Sequence, residues 1–120
     1  RVQFLGANYN INELNNLRFY SRYYFHGHSV GGTNPSLLEA MASSALIIAH
    51  NNIFNASILA SEARYFDNSE DISNLLNLDE FFLKKEENCS KNRRKIEEKY
   101  NWEKINQTYN EYLMSIIKNE

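Results

Sequence analysis

The chain has 120 residues, 42% of them hydrophobic and 23% charged, with a formal net charge of −2. That length fits one domain with one core, and the weak negative charge gives no electrostatic case for a nucleic-acid partner. No apolar run reaches the roughly 18 residues of a membrane span, and no signal-peptide pattern is present. Cys89 is the one cysteine, so no internal disulfide forms, which suits a reducing compartment.

Short apolar runs alternate with helical patterns through the first two-thirds of the chain. The runs predict strands at residues 2–5, 23–26, 46–49 and 64–66. The intervening patterns predict a helix capped by Asn12, a helix over 35–45 capped by Asn34, a helix over 55–61 and a helix capped by Ser69. In the first of these, the apolar positions at helical spacing are Leu14, Leu17, Tyr20 and Tyr24, but the helix must stop before the strand at 23–26. In the second, the expected buried stripe is Leu38, Met41, Ala42 and Ala45.

From Leu78 onward the strand signals disappear and two helical segments are predicted. The last is capped by Asn101, and its apolar face consists of Trp102, Ile105, Tyr109, Tyr112, Leu113 and Ile116. The chain therefore divides into an alternating core, residues 1–77, and C-terminal helices, residues 78–120.

This alternation predicts an α/β fold, with a Rossmann-like parallel sheet of about four strands flanked by helices. In such sheets, ligands bind outside the carboxyl ends of the strands. The glycine-rich stretch HGHSVGGTNP follows the strand at 23–26 and opens the helix at 35–45, so it lies where a ligand is expected.

The composition of this stretch favours an anion site. Gly27, Gly31 and Gly32 permit positive φ and a close approach of the backbone to a ligand. The helix start adds free N–H groups and the positive end of the helix dipole, which suit a phosphate or diphosphate. Pro35 has no N–H, so the expected donors are Thr33, Asn34, Ser36 and Leu37. A glycine-rich turn before a capped helix is also often only a turn.

Further polar residues surround this stretch. The Glu39 carboxylate, a little over one turn into the helix, can accept hydrogen bonds from a vicinal diol such as ribose, or can simply favour the helix dipole. His26 and His28 are cleft or structural histidines. The residues His50, Asn51 and Asn55 follow the next strand and either line the same cleft or form a polar turn.

Several other kinds of site are not supported by the spacing. The two histidines at 26 and 28 have no third ligand at a spacing that suits a metal. The glycines are not followed by the Gly-Lys-Ser/Thr of a Walker motif, and they do not form a G-x-G-x-x-G fingerprint.

The ordered segments VQFLG, NELNNL, GHSVGGTNPSLLEAMA, ALIIAH, ARYFDN and KYNWEKINQTYNEYL resemble the C-terminal nucleotide-binding domain of family 4 glycosyltransferases of the GT-B fold. The stretch GHSVGGTNPSLLEAM is similar to a bacterial subgroup that includes polysaccharide rhamnosyltransferases. The resemblance covers most of the chain and implies an incomplete domain. The family's acceptor-binding N-terminal domain and its diphosphate-neutralising basic pair lie ahead of the VQFLG strand, and the chain begins at Arg1 instead of a methionine.

The resemblance also implies site residues. The family's donor site has two glutamates separated by seven residues; the second falls on Glu39, which would bind the donor's ribose, and the first falls on Gly31. The family's conserved glycine matches Gly32. With the first glutamate absent, His28 or Ser29 is the expected polar contact to the donor sugar, so His28 and Gly31 mark the catalytic position.

The implied reaction is a retaining transfer of a sugar, with rhamnose favoured, from a nucleotide diphosphate sugar to a saccharide or lipid-linked saccharide in bacterial surface polysaccharide synthesis. No metal and no cofactor are implied, and the location is the cytoplasm or the inner face of the membrane. This chain alone is expected to be inactive. One alternative is a non-catalytic nucleotide-binding or interaction module of doubly wound fold, and another is a flavodoxin-like domain with the FMN phosphate at the glycines.

Overall fold

The computed structural model describes residues 2–77 and 79–118. Within them, a three-stranded parallel sheet of order β1-β2-β3 is surrounded by seven helices. In chain order the elements are α1 (Ile11–Tyr20), β1 (Tyr24–His26), α2 (Pro35–Ala42), β2 (Ile47–His50), α3 (Ile53–Leu59), β3 (Arg64–Phe66), α4 (Ser69–Leu76), α5 (Asp79–Leu83), α6 (Lys85–Lys99) and α7 (Trp102–Ile117). The predicted α/β class with a parallel sheet is confirmed.

The sheet has three strands where about four were predicted. Residues 2–5 form no strand, and Phe4 in their middle is 92% exposed. An apolar run has side chains that suit a buried strand. A strand also requires a neighbouring strand that forms hydrogen bonds with its backbone N–H and C=O groups. In the described part of the chain the sheet ends at β1, and residues 2–5 do not join it.

The two faces of the sheet are covered by different helices. On one face, which we call the α2 face, Ile47, Ala49 and the partly buried Tyr24 pack with α2 and α3. On the opposite face, the α5 face, the packed residues include Leu46, Ile48, Phe66, Phe81 and Cys89. Successive strand residues point to opposite faces, and β2 is apolar at 46–49 because both faces are covered.

Most helix boundaries differ from the predicted ones because neighbouring asparagines compete for the capping position. Asn34 caps α2 as predicted, and Asn101 caps α7. Asn10 rather than Asn12 caps α1, since its side chain accepts from the N–H groups of residues 12 and 13. The caps of α3 and α4 are likewise Asn52 and Asn68, so α3 begins at residue 53 rather than 55 and Ser69 is the first residue of α4.

The buried stripe of α2 is rotated from the predicted one. Leu37, Ala40 and Met41 are fully buried, whereas Ala42 is exposed and Leu38 is only partly buried. Positions i, i+3 and i+4 face the sheet as helical periodicity requires, but apolar residues at 37, 38, 41 and 42 also permit the alternative register. The helix ends at residue 42, before the positive φ of 57° at Ser44.

Three C-terminal helices replace the two predicted segments, and the predicted boundary at Leu78 lies outside the described residues. Helix α6 is joined to α3 through Lys95, whose Nζ donates to the carbonyls of Ile58 and Leu59 and lies 2.5 Å from Glu62 Oε2. Helix α7 carries its apolar residues at the predicted positions; Ile105 is half-buried and the others are exposed. The molecule measures 61 × 30 × 27 Å.

None of the helices in the described part of the chain combines the length and apolarity required to cross a lipid bilayer.

Candidate functional site

The glycine-rich segment 27–34, which we call the glycine loop, leaves β1 at the carboxyl edge of the sheet and enters α2. Asn55 fixes the start of this loop. Its side-chain Nδ2 donates to His28 O at 3.2 Å and to His50 O at 2.9 Å, and Asn52 Nδ2 also donates to His28 O, at 3.0 Å. Asn55 is 4% exposed, so its amide joins the loop to the end of β2 from the buried side of this edge.

A stack of rings runs along the α2 face toward this edge. Tyr24, His26 and His28 alternate along the chain and point to the same face; the ring centroids are 6.3 Å apart for the first pair and 4.8 Å apart for the second. His26 is 1% exposed, and neither of its ring nitrogens has a partner within the described residues. His28 is exposed and lies over it. Burial, with a smaller contribution from His28, lowers the pKa of His26, which favours a neutral imidazole.

His50 and Asn51, which either line the cleft or form a polar turn in the sequence-based prediction, have their side-chain partners near the end of β3. His50 shares the α5 face with Phe66, whose ring centroid is 5.6 Å from its own. Asn51 Nδ2 donates to Asp67 Oδ2 at 3.1 Å, which directs its amide toward the end of β3. The structure therefore groups His26 with His28, and separates both from His50 and Asn51.

The start of α2 offers fewer free donors than predicted. Asn34 Oδ1 accepts from Ser36 N at 2.9 Å and from Ser36 Oγ at 2.7 Å, while Leu37 N donates to Asn34 O at 3.0 Å. A capping side chain normally engages the N–H groups of the first turn, and in this structure the Ser36 and Leu37 N–H groups are engaged and not free. The N–H groups of Thr33 and Asn34 have no acceptor among the described residues.

Gly31 is the one loop glycine whose backbone requires a glycine. Its φ is +110°, a conformation that L side chains rarely adopt, whereas Gly27 and Gly32 have no positive φ. A Cβ at Gly31 would meet nothing within 4 Å, so the constraint is conformational and not steric crowding by neighbours. The same φ disfavours any L side chain, a glutamate included, at this position.

Glu39 lies on the side of α2 that faces α1. Its Oε2 is 2.7 Å from Arg18 Nη2, and Arg18 Nη1 donates to Asn15 Oδ1 at 3.1 Å. Ser43 Oγ is 2.9 Å from the same Asn15 oxygen. A cavity of about 430 Å³, which we call the α1–α2 groove, is lined by Ile11, Asn15, Asn16, Phe19, Glu39, Ala42, Ser43, Ser44 and Arg93. No residue of the glycine loop lines it, although Glu39 follows Pro35 by one helical turn.

The described residues contain no group of three or more His, Cys, Asp or Glu side chains arranged to hold a metal ion.

Comparison of the chain with models of known protein families, with curated proteins and with solved structures found no match.

Sequence reasoning missed Arg18, Asn15 and Asn52. Asn15 and Arg18 are three residues apart and therefore adjacent on α1, but nothing in their spacing indicates that Glu39, 21 residues further on, lies opposite. Asn52 did carry a signal, because an asparagine directly before an apolar helical run is a typical N-cap.

The first prediction concerns the backbone of Gly31. Gly31→Ala should lower the free energy of unfolding by about 1–2 kcal/mol, the cost of holding an L residue in a left-handed conformation. Gly32→Ala is the matched control, since its φ is not positive and its Cβ would meet open space. Urea unfolding followed by circular dichroism measures both. Equal stability of the two variants would contradict the conformational role of Gly31.

The second prediction concerns His26. Because its folded-state pKa lies below the ordinary value of 6.5, the unfolded chain takes up the proton first and stability falls as the pH decreases below 6.5. His26→Leu should remove the loss of stability that protonation of His26 causes below pH 6.5. His50→Leu retains His26 and should show the same loss as the original chain. Urea unfolding between about pH 7 and pH 5 tests this, and an unchanged slope in His26→Leu would contradict it.

Proposed function

We propose that this domain binds a nucleotide diphosphate sugar and forms the donor-binding part of a retaining glycosyltransferase. The observation that carries the proposal is the glycine loop. It is braced at the carboxyl edge of a parallel sheet and leads directly into the start of the eight-residue helix α2. That is the place at which α/β sheets bind their ligands, and the ordered sequence resemblance to GT-B family 4 domains points to the same edge.

The diphosphate is assigned to the space in front of α2. The N–H groups of Thr33 and Asn34 are available there, and the Thr33 hydroxyl and the exposed His28 ring lie on the same loop. Preorganised N–H donors and a helix N-terminus stabilise the negative charge that develops on a leaving group. Sugar transfer releases a nucleoside diphosphate, so this stabilisation is the main chemical task of the site.

The nucleotide pentose is assigned to Glu39. The carboxylate lies four residues beyond Pro35, which corresponds to about 6 Å along the helix axis on nearly the same side. Its side chain is 48% exposed and faces the α1–α2 groove. A ligand with its diphosphate at Thr33 can therefore extend along α2 and place a pentose hydroxyl against this carboxylate.

The donor sugar meets a site without the family's first glutamate. His28, exposed over the buried His26, is the polar side chain that we assign to the sugar in its place. We further assign the chain to the GT-B C-terminal domain of a bacterial enzyme that acts in the cytoplasm or at the inner face of the membrane. Its acceptor is a saccharide or lipid-linked saccharide of a surface polysaccharide, with rhamnose favoured as the sugar transferred.

A second candidate function is a non-catalytic nucleotide-binding module. The observation that favours it is the φ of +110° at Gly31, which disfavours the catalytic glutamate at that position. Both functions predict nucleotide binding at the glycine loop. Sugar transfer by the chain joined to an acceptor-binding domain distinguishes them, since only the first function predicts it.

The third prediction tests the donor site directly. We expect UDP, dTDP or GDP to shift the amide NMR signals of residues 28–39, and Glu39→Gln to weaken the binding roughly tenfold, since it removes a charged hydrogen-bond acceptor from the pentose. Glu98→Gln, a charge-matched change on exposed α6, is the control and should bind as the original chain does. Shifts located away from residues 28–39, or their complete absence, would contradict the proposed function.

A further inference from the structure

We propose that the apolar face of helix α7 pairs with the same face of a second copy of this chain, so that the protein forms a two-fold symmetric dimer. This face, which we call the α7 stripe, consists of Trp102, Ile105, Tyr109, Tyr112, Leu113, Ile116 and Ile117. The stripe shares no residue with the glycine loop or with the lining of the α1–α2 groove, so the dimer does not depend on the proposed function.

The α7 stripe is largely uncovered in the single chain. Helix α7 contacts α6, but none of its 16 residues is buried. Ile105 is the half-buried member of the stripe, whereas Trp102, Tyr109 and Ile117 are 78%, 67% and 64% exposed. A helix of this length spans about 24 Å. Large continuous apolar surfaces on soluble domains usually mark an interaction site, so we expect the stripe to have a partner.

The spacing of the stripe indicates that this partner is another helix. The members at 102, 105, 109, 112 and 116 follow one another in alternating steps of three and four residues. That is the spacing of the a and d positions, which form the seam between two helices that pack side by side. Leu113 and Ile117 widen the seam along one of its sides. A helix with the same spacing, such as α7 of a second copy, fits this seam.

The charges of α7 favour a second copy over a membrane surface. The charged residues of the helix, Glu103, Lys104 and Glu111, lie on the side away from the stripe, so two stripes can meet without bringing like charges together. Helices that lie on membranes carry many Lys and Arg residues on the polar face. The polar face of α7 instead has two glutamates and one lysine.

The area of the stripe matches what a stable dimer requires. With the exposures observed, its side chains present on the order of 800 Å² of accessible surface per copy. A standard protein interface buries about 800 Å² on each partner, or about 1,600 Å² in total. A two-fold dimer uses the same patch on both copies, so the stripe supplies both halves of the interface.

Sedimentation equilibrium of the full 120-residue chain between about 1 and 200 μM measures the dimer directly. We expect the mass to rise with concentration from the 14.1 kDa of one chain toward twice that value. Trp102 is the one tryptophan of the chain. Its fluorescence emission should therefore shift to shorter wavelength over the same concentration range, because its ring leaves water as the dimer forms.

Tyr109→Glu tests the position of the contact. It places a charge in the middle of the seam on both copies and should weaken dimerisation by at least about tenfold. Because Tyr109 is exposed in the single chain, the variant should keep its helix content in circular dichroism. Met114→Glu is the matched control, since it also replaces an exposed apolar residue of α7 with glutamate but lies outside the stripe. It should dimerise as the original chain does.

Three results would overturn the proposal. The first is a mass that stays at one chain up to about 200 μM; binding of that monomer to phosphatidylglycerol vesicles would then identify a membrane surface as the occupant. The second is a dimer that Tyr109→Glu weakens no more than Met114→Glu does, because a different surface would then form the contact. The third is a dimer whose Trp102 emission does not change, and this result decides the matter even where Tyr109→Glu fails to fold.

Discussion

Both hydrogens of the Asn55 side-chain amide are donated to backbone carbonyls, one at the end of β2 and one in the loop that follows β1. The residue is almost completely buried, and Asn52 Nδ2 adds a second hydrogen bond to the same His28 carbonyl at 3.0 Å. This single amide joins two adjacent strand ends. The position of the glycine loop relative to the sheet depends on it, and the proposed ligand site depends on that position.

The remaining features of the edge follow from this brace. With the His28 carbonyl held, the His28 ring lies over His26 on the same face as α2. The chain then has a positive φ at Gly31 before it reaches Asn34, which caps the helix. Helix α2 in turn carries Glu39 to the groove beside α1. The glycine loop, the N-terminus of α2 and the Glu39 carboxylate thus follow one another along the chain and the first turns of α2. The glycine loop contributes no residue to the lining of the α1–α2 groove.

Local signals in the sequence predicted the local features well. The strand at Arg64–Phe66, the cap at Asn34 and the cap at Asn101 are confirmed, because strand composition and N-cap chemistry act within a few residues. The predicted caps Asn12 and Ser69 are wrong: the N-caps of α1 and α4 are Asn10 and Asn68. In both places several neighbouring polar residues are able to cap a helix.

Features that depend on partners distant in the chain were not predictable in the same way. Residues 2–5 have the composition of a strand, but within residues 2–77 and 79–118 no strand pairs with them. His50 and His26 both lie near the carboxyl edge, as their places after the two strands predict, but strand alternation and register put them on opposite faces of the sheet. The pairing of Glu39 with Arg18 joins residues 21 positions apart on two helices, and only the packing of α1 against α2 brings them together.

The measurement that tests the braced loop most directly combines amide hydrogen exchange with UDP titration of Asn55→Ala. Asn51→Ala is the control, because its amide contacts Asp67 at the other side of the edge. We expect faster exchange at residues 28–34, retained protection in β2, and UDP binding weakened by about tenfold in Asn55→Ala only. Undiminished UDP affinity with a loosened loop would contradict the claim that the braced glycine loop is the nucleotide site.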